Sequence, residues 1–321
     1  MVVHIVCAGD NNFALPMAVM LHSLFRNASK AAGYKVYIIS DGITPGNRKK
    51  LEAVIRRSRK QVDVVWKEAE EYLDRIKNFV VQDRYPRTTY LRLFIPEIVD
   101  AGLDRVIYLD GDMVVEQDIV ALWETDMSDN ILLAVQDFLW TTVSSQGALA
   151  KTYRQLGLEP ETPFFNTGMY LMNVARYKEN NVSQKACDYL EQYPEHINFV
   201  DQDALNAAVL GQCGLLDPKW NVQIITINDF GQHTEMDALQ LIARRKDLLN
   251  NPYILHYNGH VKPWYLQGDK LSLNRFLFYL KSSGWFTRFE YSRWYLKTFR
   301  KYAMRRELVL LKRRLLKGLR K

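Results

Sequence analysis

The stretch VIYLDGDMVV, residues 106–115, decides how this chain is read. Val106, Ile107, Tyr108 and Leu109 run into Asp110-Gly111-Asp112, and Met113, Val114 and Val115 follow. It reads as a buried strand with two carboxylates in its middle. Such carboxylates are costly to desolvate unless something pairs them. Side chains two apart on a strand share a face, so Asp110 and Asp112 converge on one ligand. Hard oxygen donors suit Mg²⁺ or Mn²⁺. Asp-Gly is also a common turn dipeptide, which is the plainer explanation.

Upstream, strand and helix patterns alternate. Residues 2–8, 34–42 and 61–67 read as strands, and 15–27 and 44–58 as helices, the second with Thr44 as N-cap and Pro45 at its first position. A further helix is predicted over TTYLRLFIPEIV, residues 88–99. This alternation argues an α/β chain with a mostly parallel sheet covered by helices on both faces. Ligands of such sheets sit outside the carboxyl ends of the strands. Gly9-Asp10, Asp41-Gly42 and Asp110-Gly111-Asp112 all fall there.

Downstream, residues 131–138 and 164–177 read as a strand and as a turn followed by a strand. Asn166-Thr-Gly is by itself a turn, and Asp201 in DQDALN a helix N-cap. The segment HYNGHVKPW, residues 256–264, offers His256 to complete a metal shell with two carboxylates. Gly259 allows close backbone approach to a phosphate, and Lys262 supplies a cation for it. A strand ending in DxD also opens the haloacid-dehalogenase phosphatases, where the first Asp is the nucleophile. That motif is expected early in a chain, with a downstream Lys and paired acidic residues, whereas here it lies a third of the way in.

Charge is unevenly placed along the 321 residues. Residues 288–321 hold 13 Lys/Arg against 2 Asp/Glu, a net of +11, leaving 30 against 34, or −4, in the body. The basic character belongs to the tail, which argues against nucleic acid as a partner of the whole chain. Three cysteines, far apart, form no disulfide framework or metal pattern, so a reducing compartment is expected. The N-terminus lacks a basic region and a long apolar run, so no signal peptide is expected, and no transmembrane helix.

Together these motifs, in this order, resemble the retaining glycosyltransferases of family 8, the group of bacterial lipopolysaccharide galactosyl- and glucosyltransferases and glycogenin. The likeness runs from the first strand to about Trp264. It implies an A-type glycosyltransferase fold, with a Rossmann-like nucleotide-binding half and a mixed central sheet. It implies Ala8, Asp10, Asn12 and Phe13 at the uridine; Phe13 stands where the family often has a Tyr, and a phenyl ring still stacks. It implies Arg92 facing the sugar nucleotide, Asp110, Gly111 and Asp112 with His256 at Mn²⁺ (or Mg²⁺), and Gly259 and Lys262 at the diphosphate. Asp137, Asn166, Gly168 and the Asp201-Gln202-Asp203 run are implied to face the donor sugar, with Asp201, Gln202 and Asp137 nearest the chemistry.

The implied activity is metal-dependent transfer of galactose or glucose from a UDP-sugar to a glycan or glycolipid, as in lipopolysaccharide synthesis. A non-catalytic sugar-nucleotide-binding membrane protein is a third reading, which the intact Asp110, Asp112 and His256 disfavour. The predicted division is a catalytic domain, residues 1–280, and a tail, residues 281–321. In the tail, aromatics from Trp285 to Tyr302 interleave with Arg and Lys, and Leu308, Leu311, Leu315 and Leu319 recur at helical spacing. A basic amphipathic helix of this kind suits an anionic bilayer surface. The expected location is cytoplasmic, peripheral on the inner face of the cytoplasmic membrane. The loop WTTVSSQGALAKTY, residues 140–153, is expected to form part of the acceptor wall or a lid, and neither it nor Pro86 or Thr88 tells which sugar receives the transfer.

Overall fold

The computed structural model describes residues 1–30, 32–79, 87–145, 148–224, 243 and 246–302. Pro86, Gln146, Gly147 and the four tail leucines lie outside the described residues.

Among the described residues the main sheet has seven strands: β1 (Val2–Asp10), β2 (Gly33–Asp41), β3 (Val62–Glu68), β4 (Arg105–Leu109), β7 (Phe165–Asn173), β6 (Leu132–Gln136) and β8 (Cys213–Leu215). Their order is β3-β2-β1-β4-β7-β6-β8. The chain runs outward through β1, β2 and β3, then returns to place β4 on the other side of β1, parallel to it. That reversal opens a crevice at the carboxyl ends of β1 and β4, where ligands bind in sheets of this kind. The second half is mixed, with β7 antiparallel to both β4 and β6 and β8 parallel to β6.

Alternation along the strands sorts residues between two cores. Ile5, Cys7, Ile107 and Leu109 pack under α1 (Ala14–Asn27) and α2 (Pro45–Arg57). Val6, Val106 and Tyr108 pack on the other face with the helices Val182–Gln192 and Asp201–Ala208. Both faces are covered, as the alternation predicts. Thr44 caps α2 with Pro45 at its start, also as predicted.

Several local expectations need correction. VIYLDGDMVV is not one strand: β4 ends at Leu109, Asp110-Gly111-Asp112 turns, and β5 (Met113–Val115) enters a separate sheet with β10 (Ile254–His256) and β9 (Val222–Gln223). The Asp-Gly turn is therefore real, and it is what aims both carboxylates. The segment 88–99 is a 3-10 helix, Arg87–Phe94, followed by one α-turn, Ile95–Ile98. Asn166-Thr-Gly lies inside β7, not in a turn. Asp201 is the first helical residue rather than its cap; the cap is Val200, at φ +42°.

Two devices bring distant segments to the crevice. Antiparallel pairing sets His256 opposite Met113, and the Tyr257 N–H donates to the Asp112 carbonyl at 2.9 Å. The β6–β7 register jumps from Ala134 opposite Tyr170 to Val135 opposite Asn166, so Thr167, Gly168 and Met169 are extra residues on β7. A bulge of this kind re-aims side chains at an active site. Here it pushes Thr167 and Gly168 beneath Asp110, whose N–H donates to the Gly168 carbonyl at 2.8 Å.

The helix Lys270–Ser283 closes at Gly284, at φ +75°, and a further helix occupies residues 288–302. Trp285 is buried in the core, and Tyr291 and Trp294 pack against it. Phe289, Leu296 and Phe299 stay exposed, as do Arg293, Lys297, Arg300 and Lys301.

Candidate active site

Asp110 and Asp112 are paired first by side chains of the protein itself. Asp110 Oδ1 accepts from Arg92 Nη2 at 2.7 Å and from the Tyr108 hydroxyl at 2.8 Å. Asp112 Oδ2 takes Lys262 Nζ at 2.7 Å, and that ammonium also donates to the Tyr257 carbonyl at 2.6 Å. The remaining oxygens face His256 Nε2, at 3.6 Å from Asp110 Oδ2 and 3.5 Å from Asp112 Oδ1. Among the described residues these three form a cluster whose ligand atoms all lie within 4.8 Å of one another. Such separations are long for hydrogen bonds and suit one shared cation with bonds of about 2.1 Å.

The surroundings fit a hard divalent cation. Two carboxylates and an imidazole are the donor types that Mn²⁺ and Mg²⁺ accept. A methyl group at Gly168 would stand 2.2 Å from His256 Cε1 and 3.0 Å from Asp110 Oδ2, so glycine there makes room for the cluster. Burial pushes the Asp112 carboxyl up, but the Lys262 charge and His256 outweigh it and hold it below the usual range. For Asp110 burial wins over Arg92, with help from the Asp112 charge, and its carboxyl titrates higher than usual. The two carboxylates are thus unlike: Asp112 is ionised firmly, and Asp110 gains most from a further cation.

Arg92 is almost wholly buried and spends its donors in fixed directions. Besides Asp110 it reaches the Thr167 carbonyl at 2.7 Å, the Thr89 carbonyl at 3.0 Å and Asp201 Oδ2 at 3.1 Å. Its guanidinium lies over the Tyr108 ring, 4.6 Å from the centroid. Arg92 therefore bridges the metal cluster and the Asp201 carboxylate. Thr167 Oγ1 also donates to Asp201 Oδ2 at 2.8 Å.

The next wall is a polar network. Gln202 Oε1 accepts from Asn166 Nδ2 at 2.9 Å, and Gln202 Nε2 donates to Asp137 Oδ2 at 3.1 Å. Asp137 Oδ1 caps the Leu139 and Trp140 N–H groups at 3.0 and 3.1 Å. Burial raises the Asp137 carboxyl despite these donors. Asp203 departs from its expected place: it turns away from the wall and accepts the Asn198 and Phe199 N–H groups at 2.6 and 2.8 Å.

On the nucleotide side, Asp10 Oδ1 accepts the Asn12 and Phe13 N–H groups, both at 2.9 Å, so it is a helix-start cap as well as a candidate uridine contact. Ala8 and Asp10 lie at the end of β1, just past Val6, which pairs with Tyr108 of β4, and Phe13 meets Trp264 edge-on at 5.7 Å. A methyl group at Gly111 would touch Phe13 Cδ1 at 3.4 Å, which keeps that ring's place. Gly259, exposed at φ +77°, is needed for its backbone angle rather than for space.

The sequence reading brings together Asp110, Asp112, His256, Arg92, Asp201, Gln202, Asp137, Asn166 and Gly168, and the fold does so too. It misses Tyr108, Thr167 and Asn221. Tyr108 is two residues before Asp110, so strand alternation alone put it on the same face. Asn221, in KWNVQ, carries no signal in the sequence.

Two buried carboxyls give the fold a pH dependence. Burial, and then the Asp110 charge, lift Asp201 to about 6 against the pull of Arg92; burial lifts Asp203 to about 7. Both bind their protons more tightly in the folded chain than in the unfolded one. Their protonation therefore favours the fold, and stability is lost as pH rises through about 6 and then about 7. Chemical denaturation should show stability rising from about pH 8 to about pH 5, and Asp203→Asn should flatten the upper part of that slope. An unchanged slope in the variant would reject this assignment.

Comparison with known proteins agrees with the geometry. The model of glycosyl transferase family 8 matches residues 4–267. The chain is 25% identical over 291 residues to general stress protein A of Bacillus subtilis (strain 168), covering 89% of this chain and 96% of that protein. It is 27% identical over 287 residues to lipopolysaccharide 1,3-galactosyltransferase of Salmonella typhimurium, covering 86% and 77%. The galactosyltransferase LgtC, crystallised with donor and acceptor sugar analogues, matches with TM-score 0.69 at 25% identity, covering 87% and 96%. The phosphatase alternative falls with this match. With a family model spanning most of its length, and with the A-type fold built around its acidic cluster, the chain belongs to glycosyl transferase family 8.

Proposed function

We propose that the protein is a metal-dependent, retaining hexosyltransferase that moves galactose or glucose from a UDP-sugar to a glycolipid acceptor, of the lipopolysaccharide type, at the inner face of the cytoplasmic membrane. The observation that carries the reading is the convergence of Asp110, Asp112 and His256 at the strand-order reversal, with Arg92 joining them to Asp201. The Salmonella relative, named for lipopolysaccharide galactosyl transfer, supports the hexose and the acceptor class.

Asp110, Asp112 and His256 would hold the Mn²⁺ or Mg²⁺. When bound, the cation neutralises negative charge that develops on a departing diphosphate. The protein's own groups do the rest. Lys262 stands beside Asp112 and adds a positive charge at the same place. Arg92 keeps Asp201 and Asp110 fixed, so neither carboxylate has to reorganise during the reaction. Asp201 is charge-paired with Arg92 and hydrogen-bonded to Thr167, which weakens it as a nucleophile. Gln202 is a neutral amide with both ends engaged. These features favour attack of the acceptor hydroxyl from the face the UDP leaves, with a departing phosphate oxygen taking the hydroxyl's proton.

The test is UDP release from a panel of UDP-sugars, with Mn²⁺ and then with EDTA, without acceptor. Slow Mn²⁺-dependent release from one sugar is expected and would name the donor. Silence with every sugar, together with no calorimetric binding of UDP, would reject the reading.

The tail, residues 281–321, is the proposed membrane contact. No helix of the described residues is long and apolar enough to cross a membrane. Exposed Phe289, Leu296 and Phe299 beside exposed Arg293, Lys297, Arg300 and Lys301 support surface attachment. At roughly 1 kcal/mol per basic residue near an anionic surface, changing these four to Gln should release most of the protein from phosphatidylglycerol vesicles in sedimentation. Retention at wild-type levels would sink the assignment.

A further inference from the structure

We propose that Asn221 is a positioning residue for His256, and that the buried amide chain Asn221–Asn166–Gln202 ties the metal ligands to the sugar-facing wall at Asp137. The inference rests on the metal reading of the cluster and goes beyond it.

Main-chain donors fix the direction of Asn166 and Gln202, and Asn221 follows from Asn166. The Gly168 N–H donates to Asn166 Oδ1 at 3.1 Å, so the Asn166 oxygen, not its nitrogen, lies there. Asn221 Nδ2 donates to that same oxygen at 2.9 Å. Asn221 therefore turns its Oδ1 toward His256 Nδ1, 3.0 Å away. An amide oxygen only accepts, so Nδ1 carries the proton and Nε2 points its lone pair at Asp110 and Asp112. At the other end, the Thr167 N–H reaches Gln202 Oε1 at 3.4 Å, which fixes that oxygen likewise. Asn166 Nδ2 donates to it, and Gln202 Nε2 passes on to Asp137.

His256, Asn221, Asn166, Gln202 and Asp137 are all buried, between 2% and 7% exposed. Flipping one amide would set oxygen against oxygen inside a low-dielectric site, so the chain has one arrangement. A ligating histidine usually donates its other N–H to a carboxylate, carbonyl or water. Here the acceptor is a neutral side-chain amide, which orients the ring without adding a third negative charge to the cluster. The same amide is one bond from the residue that holds Gln202. Register and burial thus make the metal pocket and the sugar wall one rigid body.

Two measurements on the full chain test this. Nitrogen-15 NMR of the metal-free wild type, at a pH where the ring is neutral, should find the His256 proton on Nδ1; a proton on Nε2 overturns the proposal. Mn²⁺ titration by calorimetry should then show Asn221→Ala weakened by about 10- to 100-fold. Asn221→Asp keeps an acceptor for Nδ1 but loses the donor toward Asn166. It should hold Mn²⁺ within a few-fold of wild type, yet raise KM for the UDP-sugar. Melting curves establish that each variant is folded. A folded Asn221→Ala that binds Mn²⁺ like wild type, or an Asn221→Asp equally weakened, overturns the positioning role. A wild type that binds no Mn²⁺ would instead defeat the metal reading, and the NMR result would still decide the tautomer.

Discussion

Asp112→Asn is expected to lower Mn²⁺-dependent UDP release by at least about 10³-fold while melting close to wild type. A bound cation contributes several kcal/mol to stabilising charge on a leaving group, and each 1.36 kcal/mol is about tenfold in rate. Asp112 is the firmly ionised ligand of the cluster, so its charge is the one the cation most depends on. The fold should survive because the replacement is isosteric and finds partners. An Asn oxygen still accepts from Lys262 Nζ, and its NH₂ faces His256 Nε2, where Asp112 Oδ1 now stands at 3.5 Å. Release at the wild-type rate, with the variant folded, would discard the metal assignment. Loss of folding instead would mean that the Asp112–Lys262 pair is chiefly structural.

Arg92→Ala has the largest expected effect on stability, a loss of about 3–5 kcal/mol in urea unfolding at pH 8. Among the described residues Arg92 is the cation paired with Asp201, at 3.1 Å, and the nearest one to Asp110, at 2.7 Å. Its removal leaves the buried Asp201 and the partly buried Asp110 without their nearest cation and takes one donor from the backbone carbonyls of Thr89 and Thr167. Both carboxyls already titrate above the usual range, for burial opposes their charge. Without Arg92 that shift grows, so the fold should regain part of the loss as pH falls and the carboxyls take up protons, Asp201 from about pH 6 downward. A loss below 1 kcal/mol, or one independent of pH, would show that water or Lys262 takes over the role of Arg92.

Much of this site was legible from residue types alone. Apolar residues on both sides of Asp110-Gly111-Asp112 already said that two carboxylates were being held in a place where charge needs a partner. His256, Gly259 and Lys262 in one short segment supplied a matching donor, a backbone permission and a cation. The alternation of strands and helices up to β4 put these ends on one edge of a sheet, because hydrophobic period is a local property of the chain.

Other features were misread for the same local reason. A continuous apolar run concealed the break after Leu109, since apolar residues serve equally well in two sheets. The 3-10 helix Arg87–Phe94 has an α-like pattern, and its Tyr90, Leu91, Leu93 and Phe94 are buried in the second core. Asn166-Thr-Gly carries a turn signature, yet the pairing of Asn166 with Val135 and the bond from the Asp110 N–H to the Gly168 carbonyl hold it in β7.

By itself, the sequence determined the chemistry available: which carboxylates, which imidazole, which cations, and that the first half is a parallel α/β sheet. These follow from residue type and short-range period, and no distant contact alters them. The tertiary structure alone decided the pairing. It set Arg92 between Asp110 and Asp201, seated Lys262 on Asp112, bulged β7 beneath the cluster, and delivered Asn221 to His256. Those contacts join residues far apart in the chain through strand register and burial. Register is settled only when a whole sheet packs, so no window of sequence contains it.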